Sequence, residues 1–151
     1  MPNFQPSNPQ FEQRVRESFS RQFLMKTLGA VLTKIEPGLV SIELTNRPEV
    51  TQQHGFIHAG AVASVLDSAC GYAAYSLMPE DAAVLSIEFK VNLLAPARGE
   101  RLVATAEVKR AGKTITVCTA DAHIHEKGET KLVATMLATM MCVRGRADLT
   151  G

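Results

Sequence analysis

The pattern of the sequence predicts an α+β protein in which a curved antiparallel β-sheet wraps around one long central helix. Three observations predict it. Residues 59–77 form a helical stretch made almost wholly of apolar and small side chains. Four segments between residues 85 and 143 then come without another helical segment; the first two alternate apolar and polar residues with the period of a strand. Short turn sequences join these segments, so that neighbours pair antiparallel rather than through helical crossovers.

In chain order, residues 9–27 read as one amphipathic helix, with Phe11, Val15, Phe19, Phe23 and Leu24 at helical spacing and Glu12, Arg14, Arg16 and Glu17 between them. Residues 30–35 and 39–44 are short strands joined through Pro37-Gly38, a turn dipeptide. Residues 47–57 form a loop. In the long helix after it, Ala61, Ala63, Ser64, Ser68, Ala69, Gly71, Ala73 and Ala74 are small, which lets other elements approach on several sides. Strands are expected at 85–93, 102–108, 115–125 and 131–143, the last apolar on both faces. The expected division is an N-terminal arm and helix (1–27), one main domain (28–144) and a C-terminal tail (145–151).

Composition narrows the function. The chain has 151 residues, 46% hydrophobic and 21% charged, enough for one domain with a real core. Sixteen basic against fifteen acidic residues provide no concentrated cationic surface, so neither nucleic acid nor an anionic membrane is an expected partner. Aromatic residues make up 5% with no Trp, a poor basis for base stacking. Cys70, Cys118 and Cys142 are widely spaced among apolar neighbours and form no CxxC pair; they read as buried hydrophobes in a reducing compartment. Residues 1–10 lack a basic segment followed by an apolar run and do not read as a signal peptide. No apolar stretch reaches membrane-spanning length, so the expected location is cytoplasmic.

Asp67 is the most informative residue. It stands among Val62, Val65, Leu66, Ala69, Cys70 and Ala73, and no Lys or Arg occurs between Arg47 and Lys90 to pair with it locally. Desolvating a carboxylate costs several kcal/mol unless it is paired or functional. The alternative is an exposed stripe or a local hydrogen bond; the charge-free helix favours function. The second feature is the helix entrance at residues 55–60, where Ala59 and Gly60 leave room for a substrate carbonyl near unpaired backbone N–H groups. Asp67 lies eight residues past Ala59, about 12 Å along a helix. A base and an oxyanion site must both lie within about 3–4 Å of one carbonyl. Two antiparallel copies of the helix would set Ala59 of one beside Asp67 of the other, so a symmetric dimer with shared sites is expected.

These residues resemble a known family. The run from Gln52 through His54, Gly55, His58, Ala59 and Gly60, followed by Asp67 and Gly71, is similar to the signature of PaaI-like acyl-CoA thioesterases of the hotdog fold. So is the stretch from Ser86 to Pro96 and Gly99, and the similarity runs over residues 28–143. The resemblance implies a hotdog fold with an extra N-terminal helix, hydrolysis of acyl-CoA or acyl-carrier thioesters, and a homodimer or dimer of dimers. It also implies roles. Gln52 would hold the thioester carbonyl or orient water, the Ala59 N–H would polarise the thioester oxygen, and Asp67 would be nucleophile or general base. Ser86 would position water, and His58 would lie near the site. In the family Gln52 and Ala59 would come from one subunit, Asp67 and Ser86 from its partner. The chain departs from the usual His-Gly-Gly in reading His58-Ala59-Gly60. Strict alternation also places Ser86 with Glu88 and Lys90 on the more polar strand face.

Cations around residues 109–113, namely Arg110 and Lys113 beside Gly112, with Lys90 and Arg98, are the expected contacts for coenzyme A. No metal or other cofactor is expected: a thiolate leaves readily, and although His54 and His58 are four apart, Gly55 and the loop context do not suit a metal pair. His123 and His125 read as a wet sheet surface. Two other readings of the same fold are an acyl-CoA-binding sensor without chemistry and a hydroxyacyl-thioester dehydratase, for which His54 or His58 would have to pair with an acid.

Overall fold

The computed structural model describes residues 3–149 and 151; of the expected N-terminal arm and C-terminal tail, residues 1, 2 and 150 lie outside it. Two short helices, α1 (Phe11–Ser20) and α2 (Phe23–Leu28), precede the hairpin β1 (Ala30–Glu36) and β2 (Leu39–Thr45). A 3-10 turn at Pro48–Val50 leads to the long helix α3 (Ala59–Tyr75). The strands β3 (Ala82–Leu93), β4 (Arg101–Ala111), β5 (Ile115–Glu126) and β6 (Glu129–Arg144) complete the chain. All six strands form one antiparallel sheet in the order β1-β2-β4-β5-β6-β3, so β1 and β3 are its edges. This is the predicted α+β architecture of a central helix wrapped by a curved sheet.

The expected single N-terminal helix is two. After Ser20 the chain closes with Arg21 N–H to Ser18 O (3.1 Å) and Gln22 N–H to Phe19 O (3.0 Å), and Gln22 then turns extended (φ −81°, ψ 100°). The apolar spacing continues across this break, which is why periodicity alone does not reveal it. The break lowers the Gln22 side chain onto α3, where it bonds Ser68 and Tyr72.

The core lies between α3 and the concave face of the sheet. Val65, Leu66, Ala69, Cys70, Ala73 and Ala74 are fully buried there, against inward residues of alternate parity such as Ala104 and Ala106 on β4, Ala122 on β5, and Ala138 and Met140 on β6. The many alanines on both sides let helix and sheet approach closely, and the apolar area removed from water stabilises the fold at roughly 25 cal/mol per Å². Arg14 ties α1 to the far end of α3: its guanidinium donates to Tyr75 Oη (2.8 Å), Met78 O (3.0 Å) and Ala82 O (2.6 Å) and lies 3.9 Å from the Tyr75 ring centre.

Two turns set the register. Gly38, at φ 77°, closes the β1–β2 hairpin, and a Cβ there would come within 2.8 Å of the Phe4 ring. Lys127 and Gly128, at φ 48° and 82°, form the two-residue loop between β5 and β6, the backbone that primed hairpin turns need.

Candidate active site

β3 does not follow strict alternation. Its pairing with β6 runs Leu85–Met141 and Ser86–Met140, then resumes at Glu88–Thr139 and Phe89–Ala138, leaving Ile87 as an extra residue. A bulge of this kind reverses the facing of the residues beyond it. Ser86 therefore shares the helix-facing side with Met140, while Glu88 and Lys90 face outward with Thr139 and Leu137. The expected grouping of Ser86 with Glu88 and Lys90 is thus corrected: the bulge turns Ser86 towards α3.

There Ser86 Oγ–H donates to Asp67 Oδ1 at 2.7 Å. Asp67 lies on a half-buried stripe of α3 with Ala63, Ser64, Ser68 and Gly71, and it opens onto a cavity of about 380 Å³. Four residues of that cavity were not singled out by the sequence: Tyr72 on α3, Ser18 on α1, and Arg21 and Gln22 at the break between α1 and α2. Nothing in the local pattern of residues 18–22 marks the last three; only the break between the helices brings them over α3.

The helix entrance lies elsewhere. His58 caps α3, its Nδ1 accepting the Gly60 N–H at 2.7 Å, and its own N–H donates to Val50 O at 2.8 Å. The Ala59 N–H has no acceptor among the described residues. Ala59 borders a second cavity of about 470 Å³, with Gln52, His58, Phe56, Val62 and Leu93 among its lining residues. The His54 N–H donates to Gln52 Oε1, which leaves the amide nitrogen as the free end of that side chain. Within one chain the structure thus brings Asp67 to Ser86, and Gln52 to His58 and Ala59, but keeps the two groups in separate cavities.

The expected coenzyme A contacts are scattered. Arg98 lies beside the helix entrance, where Ala97 O accepts the Ile57 N–H at 2.9 Å. Lys90 points from the outer face of β3, and Arg110, Gly112 and Lys113 form the exposed β4–β5 hairpin, outside both cavities. His123 and His125 lie on the outer sheet face, His125 Nδ1 within 3.1 Å of Thr130 Oγ1. All three thiols are free and buried, and desolvation pushes Cys118 up to about 12 and Cys70 and Cys142 upward as well. They are core groups, inert as nucleophiles at neutral pH.

Residues 54–131, just over half of the chain, match the thioesterase superfamily. The chain belongs to that superfamily. A thioesterase family protein from Silicibacter pomeroyi is 54% identical, with a TM-score of 0.88 over 89% of this chain and 99% of that one. The medium/long-chain acyl-CoA thioesterase YigI of Escherichia coli is 28% identical over 131 residues, 77% of this chain and 83% of that protein. The E. coli PaaI protein of the phenylacetic acid degradation operon shares the fold, with a TM-score of 0.79 at 22% identity over 90% of this chain and 95% of that one. Curated relatives are matched over 65–83% of their own length. This thioesterase accordingly has the expected hotdog fold, which PaaI shares, and is a thioester hydrolase. Among its described residues no helix is long and apolar enough to cross a membrane.

Proposed function

We propose that the chain hydrolyses acyl-CoA thioesters at a site shared between two copies, with Asp67 of one and Ala59 and Gln52 of the other. The observation that carries this reading is the Asp67–Ser86 hydrogen bond at 2.7 Å on a helix that presents no other charge. The substrate class is supported by the name of YigI.

The shared site is supported by complementary halves. The stripe Gly60, Ala63, Ser64 and Asp67, on the N-terminal half of α3, is not covered by the sheet. Its small side chains suit close contact with an antiparallel copy, which would offset the separation of about 12 Å between Ala59 and Asp67. Edge strand β3 carries Phe89 and Leu93 on the same side as the helix, 44% and 55% exposed in the single chain. Edge pairing of two β3 strands would cover them.

In this arrangement the thioester oxygen accepts the Ala59 N–H, at the positive end of α3, and the Gln52 amide N–H. Ser86 holds Asp67 Oδ1, and the lone pairs of its hydroxyl accept from a water whose other proton goes to Asp67 Oδ2. That water attacks the carbonyl carbon, the tetrahedral oxyanion collapses, and the C–S bond breaks to release the thiolate. Asp67→Asn removes the base with little change in shape and is expected to lower kcat by about 10²–10⁴-fold; thiol release at the native rate would overturn the assignment. Single-turnover hydrolysis in H₂¹⁸O separates the two roles open to a carboxylate. Label appearing only in the product acid fits a general base; label appearing in Asp67 means direct attack through an anhydride.

A further inference from the structure

We propose that the cavity beside Asp67 seats the acyl group and that Gln22 selects acyl groups carrying a hydrogen-bonding substituent over plain alkyl chains. This rests on Asp67 being the group that acts on the thioester.

The first observation is Gly71. It lies one helical turn beyond Asp67, in the interior of a helix where glycine is disfavoured against alanine. Packing within the chain does not require it, because a Cβ built there would meet nothing within 4 Å. The missing side chain instead widens the cavity next to the reactive carboxylate.

The second observation is the way the same cavity is roofed. Gln22, extended at the break between α1 and α2, spans one turn of α3. The Ser68 hydroxyl donates to its Oε1 at 2.9 Å, and its Nε2–H donates to the Tyr72 hydroxyl at 3.3 Å. The Ser18 hydroxyl is 3.2 Å from the same Tyr72 oxygen. These contacts fix the amide and use one of its two N–H groups, leaving the other without an acceptor among the described residues. Ser68 and Tyr72 are four residues apart, about 6 Å along the helix, so the free N–H waits roughly one turn from Asp67. An acyl group with a hydroxyl or carbonyl at that reach replaces the water this N–H would lose. A plain alkyl chain strips the water and returns nothing, and sites built to bond a polar substituent discriminate strongly against analogues lacking it. Gln22 lies on the N-terminal segment, outside residues 54–131, which match the superfamily.

The test compares kcat/KM for hexanoyl-CoA and 6-hydroxyhexanoyl-CoA. The native enzyme is expected to favour the hydroxylated substrate at least tenfold, and Gln22→Leu to reduce that ratio at least tenfold. Gly71→Ala serves as the second variant. It is expected to raise Tm by about 2–4 °C, as replacing a helical glycine does, while lowering kcat/KM for the hydroxylated substrate at least tenfold, a combination that lost stability cannot produce. A native ratio near one, or a Gln22→Leu variant that changes both substrates equally, overturns the proposal; the latter result would assign the cavity to the thiol arm. Asp67→Asn with full turnover would instead overturn the parent reading, so the two failures are read from different measurements.

Discussion

Ala59 acts through a backbone group, so removing its side chain tests nothing, but proline removes the N–H itself. Proline is well tolerated at the first position of a helix, and His58 before it is already at φ −59° and ψ 139°, the region that a residue preceding proline adopts. Ala59→Pro is therefore expected to fold and to lose about 10²–10³-fold in kcat, the effect of deleting one oxyanion donor; circular dichroism and thiol-release kinetics together check both halves. The cysteines give a pH prediction. Cys118 is raised by burial from 9.0 to about 12, so the folded state holds its proton more tightly than the unfolded chain. Stability from this group is complete below pH 9 and falls as the pH rises towards 12. Urea titrations across that range should show a declining midpoint, and iodoacetamide at pH 8 should leave all three thiols of the native protein unmodified.

At the scale of elements, two local irregularities place the chemistry. The extra residue Ile87 in β3 turns Ser86 onto Asp67, and the break after Ser20 sets Gln22 over α3. Both were hidden from periodicity. Leu85, Ile87, Phe89 and Val91 alternate without interruption in sequence, and a bulge becomes visible only in the register against β6. α1 itself is held by Arg14, whose forked guanidinium serves Met78 O and Ala82 O at once. Arg14→Ala leaves these carbonyls short of a donor and is expected to cost about 2 kcal/mol. Arg14→Lys should recover only part of this, because an ammonium cannot reproduce the planar fork; thermal melts of the two variants make the comparison.

The scale of the whole molecule decides whether the two half-sites meet. If they meet between copies, Ala59→Pro and Asp67→Asn are each nearly inactive alone. Their mixed dimer then has one intact site, formed by Ala59 of one copy and Asp67 of the other. Unfolding and refolding an equal mixture should restore about one quarter of native activity, since half of the dimers are mixed and each carries one good site of two. A site built within one chain would gain nothing from mixing. The outer sheet face, with Leu85, Leu137 and Met141 exposed by 47%, 52% and 37%, matches the apolar final strand that the sequence presents.

The α+β class, the central helix, the sheet strands and the candidacy of Asp67 are legible in the residues alone, because they depend on periodicity and on a charge set alone among apolar neighbours. The sequence also brings Gln52, His58 and Ala59 into one segment, since a helix entrance and its loop are continuous in the chain. Tertiary structure decided which way Ser86 faces and what roofs the cavity beside Asp67. Those contacts join residues 19 and 46 positions apart, and they depend on a bulge and a helix break that the apolar periodicity runs through without a mark.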